Sequence, residues 1–324
     1  MQQHARHDPA PDNLQGSFMA PMDNDCVFEI RGPDTDRFLQ GQVTCDIREL
    51  TLKTSLPGAA CNPKGRAYAL FRLLRVSDDC IMLRLPHHIA DEVSDQLKKY
   101  LAFFKAEMAP AADWSLIGIV GSEAASAFTT NGTGDINSVQ ETEGGYLITV
   151  PPLPDGTPRF EFWHAGDPPE MNGNVCAGNA WYLSEIRSGV PTLSETTAGA
   201  YIPLNLNLHA IGGVSFQKGC YTGQEVIARM HHLGQLKKSL FRLRAANADE
   251  TPTIGDSLVD GDGSKLGAVT DCMVTDTGNS ELLAVLAHRA REATITLADQ
   301  PAASVMLAPM GYSIPEREDT VDNL

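Results

Sequence analysis

Short runs in which apolar and polar residues alternate cover much of the chain, and this two-residue period predicts β-strands. We expect single strands at 26–32, 79–86 and 115–121, two strands joined by a turn over 58–76, and a hairpin of 144–150 with 159–165. Gly and Pro mark the turns of the last two units, which strengthens both assignments.

Apolar residues at helical spacing separate these strands. A helix over 89–108 is predicted from four apolar residues on one face: Val93, Leu97, Leu101 and Phe104. Shorter helices are predicted at 34–41, at 122–128 and at 177–191, and Gly189 is placed to end the last of them. Strands followed by helices occur twice, so we expect two α+β modules within one large domain.

The pattern of apolar and polar residues changes near residue 240. Short alternating segments with Gly and Asp turns follow, a pattern typical of a small β-barrel or sandwich. We therefore expect a disordered polar tail (1–18), an α+β domain (19–240), a C-terminal β-barrel domain (241–314) and an acidic disordered tail (315–324).

The composition is that of an ordinary globular protein, with 42% hydrophobic and 20% charged residues among 324. No apolar run is long enough to span a membrane, and the first residues lack the apolar core of a signal peptide, so we expect a cytoplasmic protein with no membrane partner. The net charge of −16 disfavours nonspecific nucleic-acid binding. A basic run at 235–244 is either a local patch or a solvated strand edge.

Seven cysteines are scattered through the chain without a Cys-x-x-Cys pair. This spacing argues against a disulfide framework and against a dedicated zinc or iron–sulfur site. Free cysteines of this kind are most often small core residues. We make that assignment for all of them except Cys220.

The exception lies in the segment QKGCYTGQE, residues 217–225. An apolar run at 211–216 predicts a strand before it. Thr222 and Glu225 have capping-box spacing, which predicts a helix from Thr222 to Gly234. Cys220 would then lie between strand and helix, where the helix N-terminus and the ammonium of Lys218 both favour a thiolate.

Two glycines flank this cysteine, Gly219 and Gly223, and would let a ligand approach the backbone. The same residues are also compatible with an inert cysteine in a common glycine-flanked turn. The segment is not a phosphate loop, because the Gly-x-x-x-x-Gly-Lys-Ser/Thr pattern is absent.

The longer run GVSFQKGCYTGQEVIAR closely resembles the signature of the YgfZ family, the folate-binding relatives of the glycine-cleavage aminomethyltransferase. Four other segments agree with the family and occur in its order: FLQGQVTCDI (38–47), CNPKGRAYALFRLLR (61–75), WYLSEIRSGVP (181–191) and YIPLNLNLHAIGG (201–213). The resemblance covers about residues 25–315. It implies an aminomethyltransferase-like fold, with two α+β modules and a C-terminal barrel around a folate pocket.

The resemblance also implies a function. Members of the YgfZ family are folate-binding accessory proteins that maintain or repair iron–sulfur enzymes, including those that thiolate tRNA, and the resemblance implies the same role for this chain. Tetrahydrofolate or a one-carbon derivative would be the cofactor, iron–sulfur enzymes would be the partners, and direct tRNA binding is not expected. Cys220 would ligate a transient cluster, exchange with a disulfide or accept a one-carbon unit, and the sequence does not choose among these.

Site residues carry over by position. The resemblance makes Cys220 the reactive thiol, with Lys218 beside it. The expected folate-binding residues are Trp181, Arg187, Asn207, Tyr221, Gln224 and Glu225. The flat indole of Trp181 suits stacking on a pterin, although helical periodicity fits a buried core tryptophan equally well. Arg187 and Asn207 could equally be structural.

Two departures from the family pattern bear on chemistry. An early folate-contacting tryptophan is missing, and its place falls near Asp25. The catalytic aspartate of the aminomethyltransferases falls near Ala69, so glycine-cleavage activity is not expected, because alanine cannot orient an amine by charge. The alternative to an accessory protein is a folate-dependent one-carbon transferase or demethylase of a small amine. A carboxylate that reaches the pocket from a distant segment would favour that alternative.

Overall fold

The computed structural model describes residues 9–14, 16–129, 134–166, 173–232 and 236–313. Its strands are β1 (Phe18–Pro21), β2 (Asp25–Arg31), β3 (Leu56–Cys61), β4 (Ala67–Ser77), β5 (Cys80–Pro86), β6 (Glu107–Pro110), β7 (Trp114–Val120), β8 (Val139–Thr142), β9 (Gly145–Val150), β10 (Arg159–Ala165), β11 (Lys238–Ala246), β12 (Ser257–Val259), β13 (Lys265–Val274), β14 (Ser280–Ala287), β15 (Ile295–Leu297) and β16 (Gln300–Ala308). Its α-helices are α1 (Thr35–Gln42), α2 (Ala90–Leu101), α3 (Ser122–Ala125), α4 (Gly178–Ser188) and α5 (Gln224–His232).

The first sheet has the strand order β3-β4-β5-β2-β6. The long strand β4 is buried along most of its length, including its two arginines, Arg72 and Arg75. Helix α2 is shorter than predicted: it ends at Leu101, and the chain turns through residues 102–106 into β6. Phe104 still packs on Phe38, with ring centroids 5.5 Å apart, but it does so from this turn rather than from the helix.

The second sheet has the order β1-β7-β10-β9-β8, and all its pairings are antiparallel. Helix α4 packs on β1 and β7. It ends at Gly189, whose φ of 75° is left-handed, as the sequence predicted for a glycine stop. The glycine therefore fixes where helix α4 ends, and this end lies beside the C-terminal part of the chain.

The six strands β11 to β16 form a closed barrel in the order β11-β14-β13-β12-β15-β16, with β16 paired back to β11. Closure leaves no unpaired sheet edge, and the interior is filled by buried leucines such as Leu243, Leu258, Leu282 and Leu286. Strands and helices in two sheets followed by this barrel confirm the predicted α+β class and the C-terminal barrel.

Residues 9–14 depart from the predicted disordered tail. Ala10 is fully buried and forms a parallel bridge with Thr275 of the segment after β13. The segment finds backbone partners on the barrel, which a composition-based prediction of disorder does not consider. Residues 16–18 are described as well, and Phe18 begins β1, so the predicted tail ends earlier than expected. The remaining predicted tail residues, 1–8, 15 and 315–324, lie outside the described residues.

Candidate functional site

Cys220 lies in a loop between the 3₁₀ turn Leu208–Ile211 and helix α5. Of the seven cysteines, all of which the structure describes, it alone is exposed. Three of the other six are half-buried (Cys26, Cys176 and Cys272), and three are buried.

The path of the chain into this loop differs from the prediction. Residues 211–216 are not a strand; the backbone N–H of Ser215 donates instead to the carbonyl of Thr44, a contact between distant segments. Helix α5 begins at Gln224, two residues later than predicted, and the Thr222 hydroxyl lies 3.5 Å from Gln42 Oε1. The predicted end of the helix at Gly234 lies outside the described residues.

The buried side chain of Lys218 anchors the loop to the interior of the protein. Its ammonium donates to the carbonyls of Val43 at 2.7 Å and Cys45 at 2.8 Å, and the side chain is only 4% exposed. Burial lowers the pKa of Lys218 to about 8. The ammonium is directed into the protein, and its two bonds tie the loop that carries Cys220 to residues 43 and 45.

The rest of the motif divides between the interior and the surface. Tyr221 is buried, and its ring lies 4.9 Å from the Lys218 ammonium. Burial raises the pKa of Tyr221. Gln224 is half-buried and Glu225 is exposed at the first turn of α5. The structure thus places Gln224 and Glu225 on the solvent side of the loop and Tyr221 beneath it.

Gly223 fixes the contact between this loop and the turn at residues 62–65. Its φ is 84°, and a Cβ there would lie 2.6 Å from the Asn62 carbonyl oxygen and 2.9 Å from Gly65 Cα. Only glycine fits such a position without displacing backbone. Gly219, in contrast, has open space around it. The two glycines that flank Cys220 therefore have different roles. Gly223 allows close backbone packing on the turn at residues 62–65, and Gly219 leaves open space beside the cysteine.

Trp181, on α4, lies in the interior rather than on an open wall. It is 0% exposed, its ring packs against Gly118 of β7, and the guanidinium of Arg159 lies 4.2 Å from the ring centroid. A pterin can stack on this indole only if neighbouring side chains move. Of the two interpretations of Trp181, a pterin-stacking residue or a buried core residue, the structure shows a buried core residue.

Beside Trp181 lies a buried cluster of ionisable side chains that the sequence motifs did not point to. Arg84 is at its centre, 3.1 Å from Glu161, 3.4 Å from Glu185 and 3.9 Å from Asp25. Three arginines and three carboxylates make up the cluster: Arg72, Arg84, Arg159, Asp25, Glu161 and Glu185. Acidic and basic groups are equal in number, and their pairing offsets part of the cost of burying them.

The pKa values of two carboxyl groups in this cluster are shifted in opposite directions. Burial raises the pKa of Asp25 to about 7, and the attraction of Arg84 only partly opposes the effect. Burial also acts on Glu161, but Arg84 and Arg72 outweigh it and lower the pKa of that carboxyl. A carboxyl that holds a proton near neutral pH thus lies in the same cluster as one that remains ionised, a combination suited to proton transfer.

Two donors in the same region have no hydrogen-bond partner among the described residues, Arg159 Nη2 and Trp181 Nε1. An unpaired buried donor costs about 1–3 kcal/mol. The signal in the sequence was the strand RFEFWHA, in which Arg159, Glu161 and Trp163 alternate on one face of β10. The same alternation predicts a hairpin strand, and the charged residues on its inner face are the sequence feature that points to a buried polar cluster.

Arg187 and Asn207 both contact the barrel. Arg187 donates to Glu281 of β14 at 3.1 Å. Asn207 is fully buried, and its amide donates to the Leu240 carbonyl of β11 at 2.9 Å. These contacts favour the structural alternative for both residues. The structure therefore brings Lys218, Cys220 and Tyr221 together, but it gives Trp181, Arg187 and Asn207 other surroundings.

Two classes of feature are not found in the described part of the chain. No group of three or more His, Cys, Asp or Glu side chains that could hold a metal occurs there. Nor does any helix within those residues have the length and apolar character needed to cross a membrane.

Comparison with known proteins finds similar proteins both by sequence and by structure. No family model matches the chain. Over 315 residues it is 28% identical to the tRNA-modifying protein YgfZ of Colwellia psychrerythraea (strain 34H), an alignment that covers 94% of this chain and 96% of that protein. The crystal structure of the glycine cleavage system aminomethyltransferase T from Bartonella henselae superposes with a TM-score of 0.62 at 13% identity, covering 84% of this chain and 78% of that one.

At that identity the superposition establishes the fold and nothing more. Together with the sequence relative, it confirms the resemblance drawn from the motif and the aminomethyltransferase-like class. The chain is thus similar along nearly its whole length to the tRNA-modifying protein YgfZ of Colwellia psychrerythraea, and it has the fold of the glycine-cleavage aminomethyltransferase.

Proposed function

We propose that this protein is a folate-binding accessory protein that supports the assembly or repair of iron–sulfur enzymes and, through them, the thiolation of tRNA. Cys220 is its reactive thiol. The observation that carries the proposal is the exposure of Cys220 on a loop held from below by the buried Lys218 ammonium. The name of the Colwellia relative, a tRNA-modifying protein, supports the link to tRNA.

The fold supports folate as the cofactor, and the side chains near Trp181 fit its chemistry. A pterin is a flat ring with both donors and acceptors. Arg159 Nη2 and Trp181 Nε1 are buried donors without partners, and the Glu161 carboxylate beside them is an acceptor. When bound, tetrahydrofolate carries one-carbon units. Because Trp181 and Arg159 are fully buried, neighbouring side chains would have to move to admit the ring, which these donors and the Glu161 carboxylate would then hold away from water.

The test of folate binding is anaerobic calorimetry with tetrahydrofolate. Trp181→Phe removes the unpaired N–H and keeps a buried aromatic ring, so we expect affinity to fall by about tenfold, the value of one hydrogen bond. Trp114→Phe is the matched control, because Trp114 stacks on Tyr146 with centroids 6.1 Å apart, away from the unpaired donors. Equal affinities for Trp181→Phe and wild type would remove Trp181 from the site.

The test of the thiol uses cells whose own copy of the gene is deleted. We expect Cys220→Ala to fold, to keep its folate affinity and to fail to restore thiolated tRNA, measured by mass spectrometry. Cys176→Ala, which changes a half-buried cysteine, is the control and should restore it. Restoration by Cys220→Ala would show that this thiol is not required.

A second candidate function is a folate-dependent one-carbon transferase or demethylase of a small amine. The observation that favours it is the buried carboxylate pair of Asp25 and Glu161, both bound by Arg84. These come from distant segments, as the enzyme hypothesis requires. Glycine cleavage itself is not proposed, because Ala69 is buried and carries no carboxylate. Turnover of a methylated amine by purified protein, lost in Asp25→Asn, is the result that this candidate predicts; no turnover in wild type would exclude it.

A further inference from the structure

Residues 9–14 form a strap across the junction between the barrel and helix α4. On the barrel side, Ala10 donates to the Val274 carbonyl at 2.9 Å and accepts from the Asp276 backbone at 2.8 Å. On the helix side, the Asn179 amide donates to the Pro9 carbonyl at 3.0 Å. The strap therefore joins two parts of the chain that are far apart in sequence.

The Asp12 carboxylate of this strap occupies a site lined by arginines. Its Oδ1 accepts from Arg187 Nη2 at 2.7 Å and lies 3.4 Å from Arg244 Nη2. Thr277 donates its hydroxyl to Oδ2 at 3.3 Å. Two guanidinium groups and a hydroxyl that converge on one carboxylate are the donor set of an anion site.

The arginines at this site outnumber the carboxylates that they contact. Arg187, Arg242 and Arg244 all contact Glu281, which is almost fully buried. Without Asp12, three guanidinium groups would face this single carboxylate. The Asp276 carboxylate also lies at the strap, where it accepts from the Asp12 backbone N–H at 2.9 Å, so the three arginines would outnumber these two carboxylates by one.

Solvent can reach the site, and there is room beside it. The side chains of Asp12 and Arg244 are 22% and 46% exposed. An open depression of about 390 Å³ is lined by Ala308, Pro309, Met310, Gly311, Tyr312 and Ser313. It adjoins the arginines, because Arg242 donates to the Pro309 carbonyl at 2.8 Å. A small ligand could thus bind to the arginines through one end and lie in the depression.

We propose that the arginine site is a binding site for a free carboxylate or phosphate anion, and that the strap closes it by inserting Asp12 as an internal competitor. A bound anion and the strap exclude each other, so the anion favours the state in which the strap is released. This inference concerns a different part of the molecule and does not depend on the function of Cys220.

The experiment measures binding of glutarate and of inorganic phosphate by calorimetry, at constant ionic strength set with NaCl. We expect Asp12→Ala to bind at least one of the two about tenfold more tightly than wild type, because a tethered competitor has a high effective concentration. The double variant Asp12→Ala/Arg187→Gln should lose this gain. Asp299→Asn, an exposed acidic residue elsewhere on the barrel, is the control and should match wild type. Glutarate and phosphate separate carboxylate from phosphate recognition.

A second readout follows the strap itself in wild type. Hydrogen exchange of the Ala10 amide should become faster as the anion is added, because the bond to Val274 opens when the strap leaves. If Asp12→Ala fails to fold, Asp12→Asn replaces it; this variant keeps the side-chain size and the bond from Arg187 to the backbone carbonyl of residue 12. Equal anion affinities of wild type and both variants, or tight binding that persists without Arg187, would overturn the proposal.

Discussion

Asp25 and Lys218 are both ionisable groups that folding removes from water, and their pKa values move in opposite directions. Burial favours the neutral form of each, so the pKa of Asp25 rises to about 7 and that of Lys218 falls to about 8. Lys218 recovers part of the cost through its bonds to two carbonyls. Asp25 receives a bond from the Tyr182 hydroxyl at 3.1 Å and lies near Arg84.

Asp25 therefore gives the protein a defined pH dependence. Between its ordinary value of 3.8 and about 7, the folded chain holds a proton that the unfolded chain has lost. The free energy of unfolding consequently falls as the pH rises through this window. Asp25→Asn cannot ionise, so we expect its stability relative to wild type to be greater at about pH 8 than at about pH 5. Urea unfolding at both pH values measures the difference.

Asp23→Asn is the matched control, because Asp23 is exposed two residues earlier. It should show the same difference from wild type at both pH values. A stability difference between Asp25→Asn and wild type that stays constant with pH would mean that Asp25 is ionised throughout the window.

At the scale of elements, the loop before helix α5 is held by its contacts with other segments. The backbone of Thr222 donates to the Gly41 carbonyl at the end of α1, and Gly223 packs on the turn at Asn62. The loop has no strand partner of its own, so these contacts and the Lys218 ammonium decide where Cys220 is presented.

The two flanking glycines offer a test of this account. We expect Gly223→Ala to destabilise the protein by about 2 kcal/mol or more, because its φ of 84° is strained for alanine and the new Cβ would meet backbone at 2.6 Å. Gly219→Ala should be close to wild type, because no atom lies within 4 Å of its Cβ. Urea unfolding and the rate at which a thiol reagent modifies Cys220 measure both effects. Equal stability and equal Cys220 reactivity in the two variants would contradict this account of the loop.

At the scale of the whole molecule, the arginines of the barrel do not form a basic face. Arg242, in the basic run at 235–244, is buried and forms a two-point contact with Glu281 at 2.8 and 2.9 Å. Lys237 and Lys238 remain exposed on a chain of net charge −16. The run is not the solvated strand edge that the sequence suggested, because β11 pairs with both β14 and β16 and Arg242 is buried. The pairing of Arg242 with Glu281 also disfavours a nucleic-acid patch.

We therefore expect only weak, salt-sensitive contact with tRNA. In a mobility-shift assay, retardation at about 20 mM salt should vanish at about 150 mM, because few phosphates are neutralised. Lys237→Gln/Lys238→Gln should weaken the low-salt shift and leave the result at about 150 mM unchanged. Retardation that persists at the higher salt would favour direct action on tRNA over the indirect route.

Local sequence determined the parts of this protein that depend on neighbours in the chain. The strand periods, the glycine stop of α4 at Gly189, the barrel texture after residue 240 and the glycine-flanked Cys220 all follow from residues within a few positions of one another. Side-chain period and backbone freedom act over that range, so these features could be predicted from the sequence.

Tertiary structure decided the features whose partners are distant. Residues 211–216 are a loop because Ser215 bonds to Thr44, 171 positions earlier, and Trp181 is buried because Gly118 lies against it. The Arg84 cluster joins carboxylates from β2, β10 and α4. A charged residue has the same local signature whether it faces water or a partner across the core. The difference is set by desolvation and pairing, which exist only once the sheets have packed.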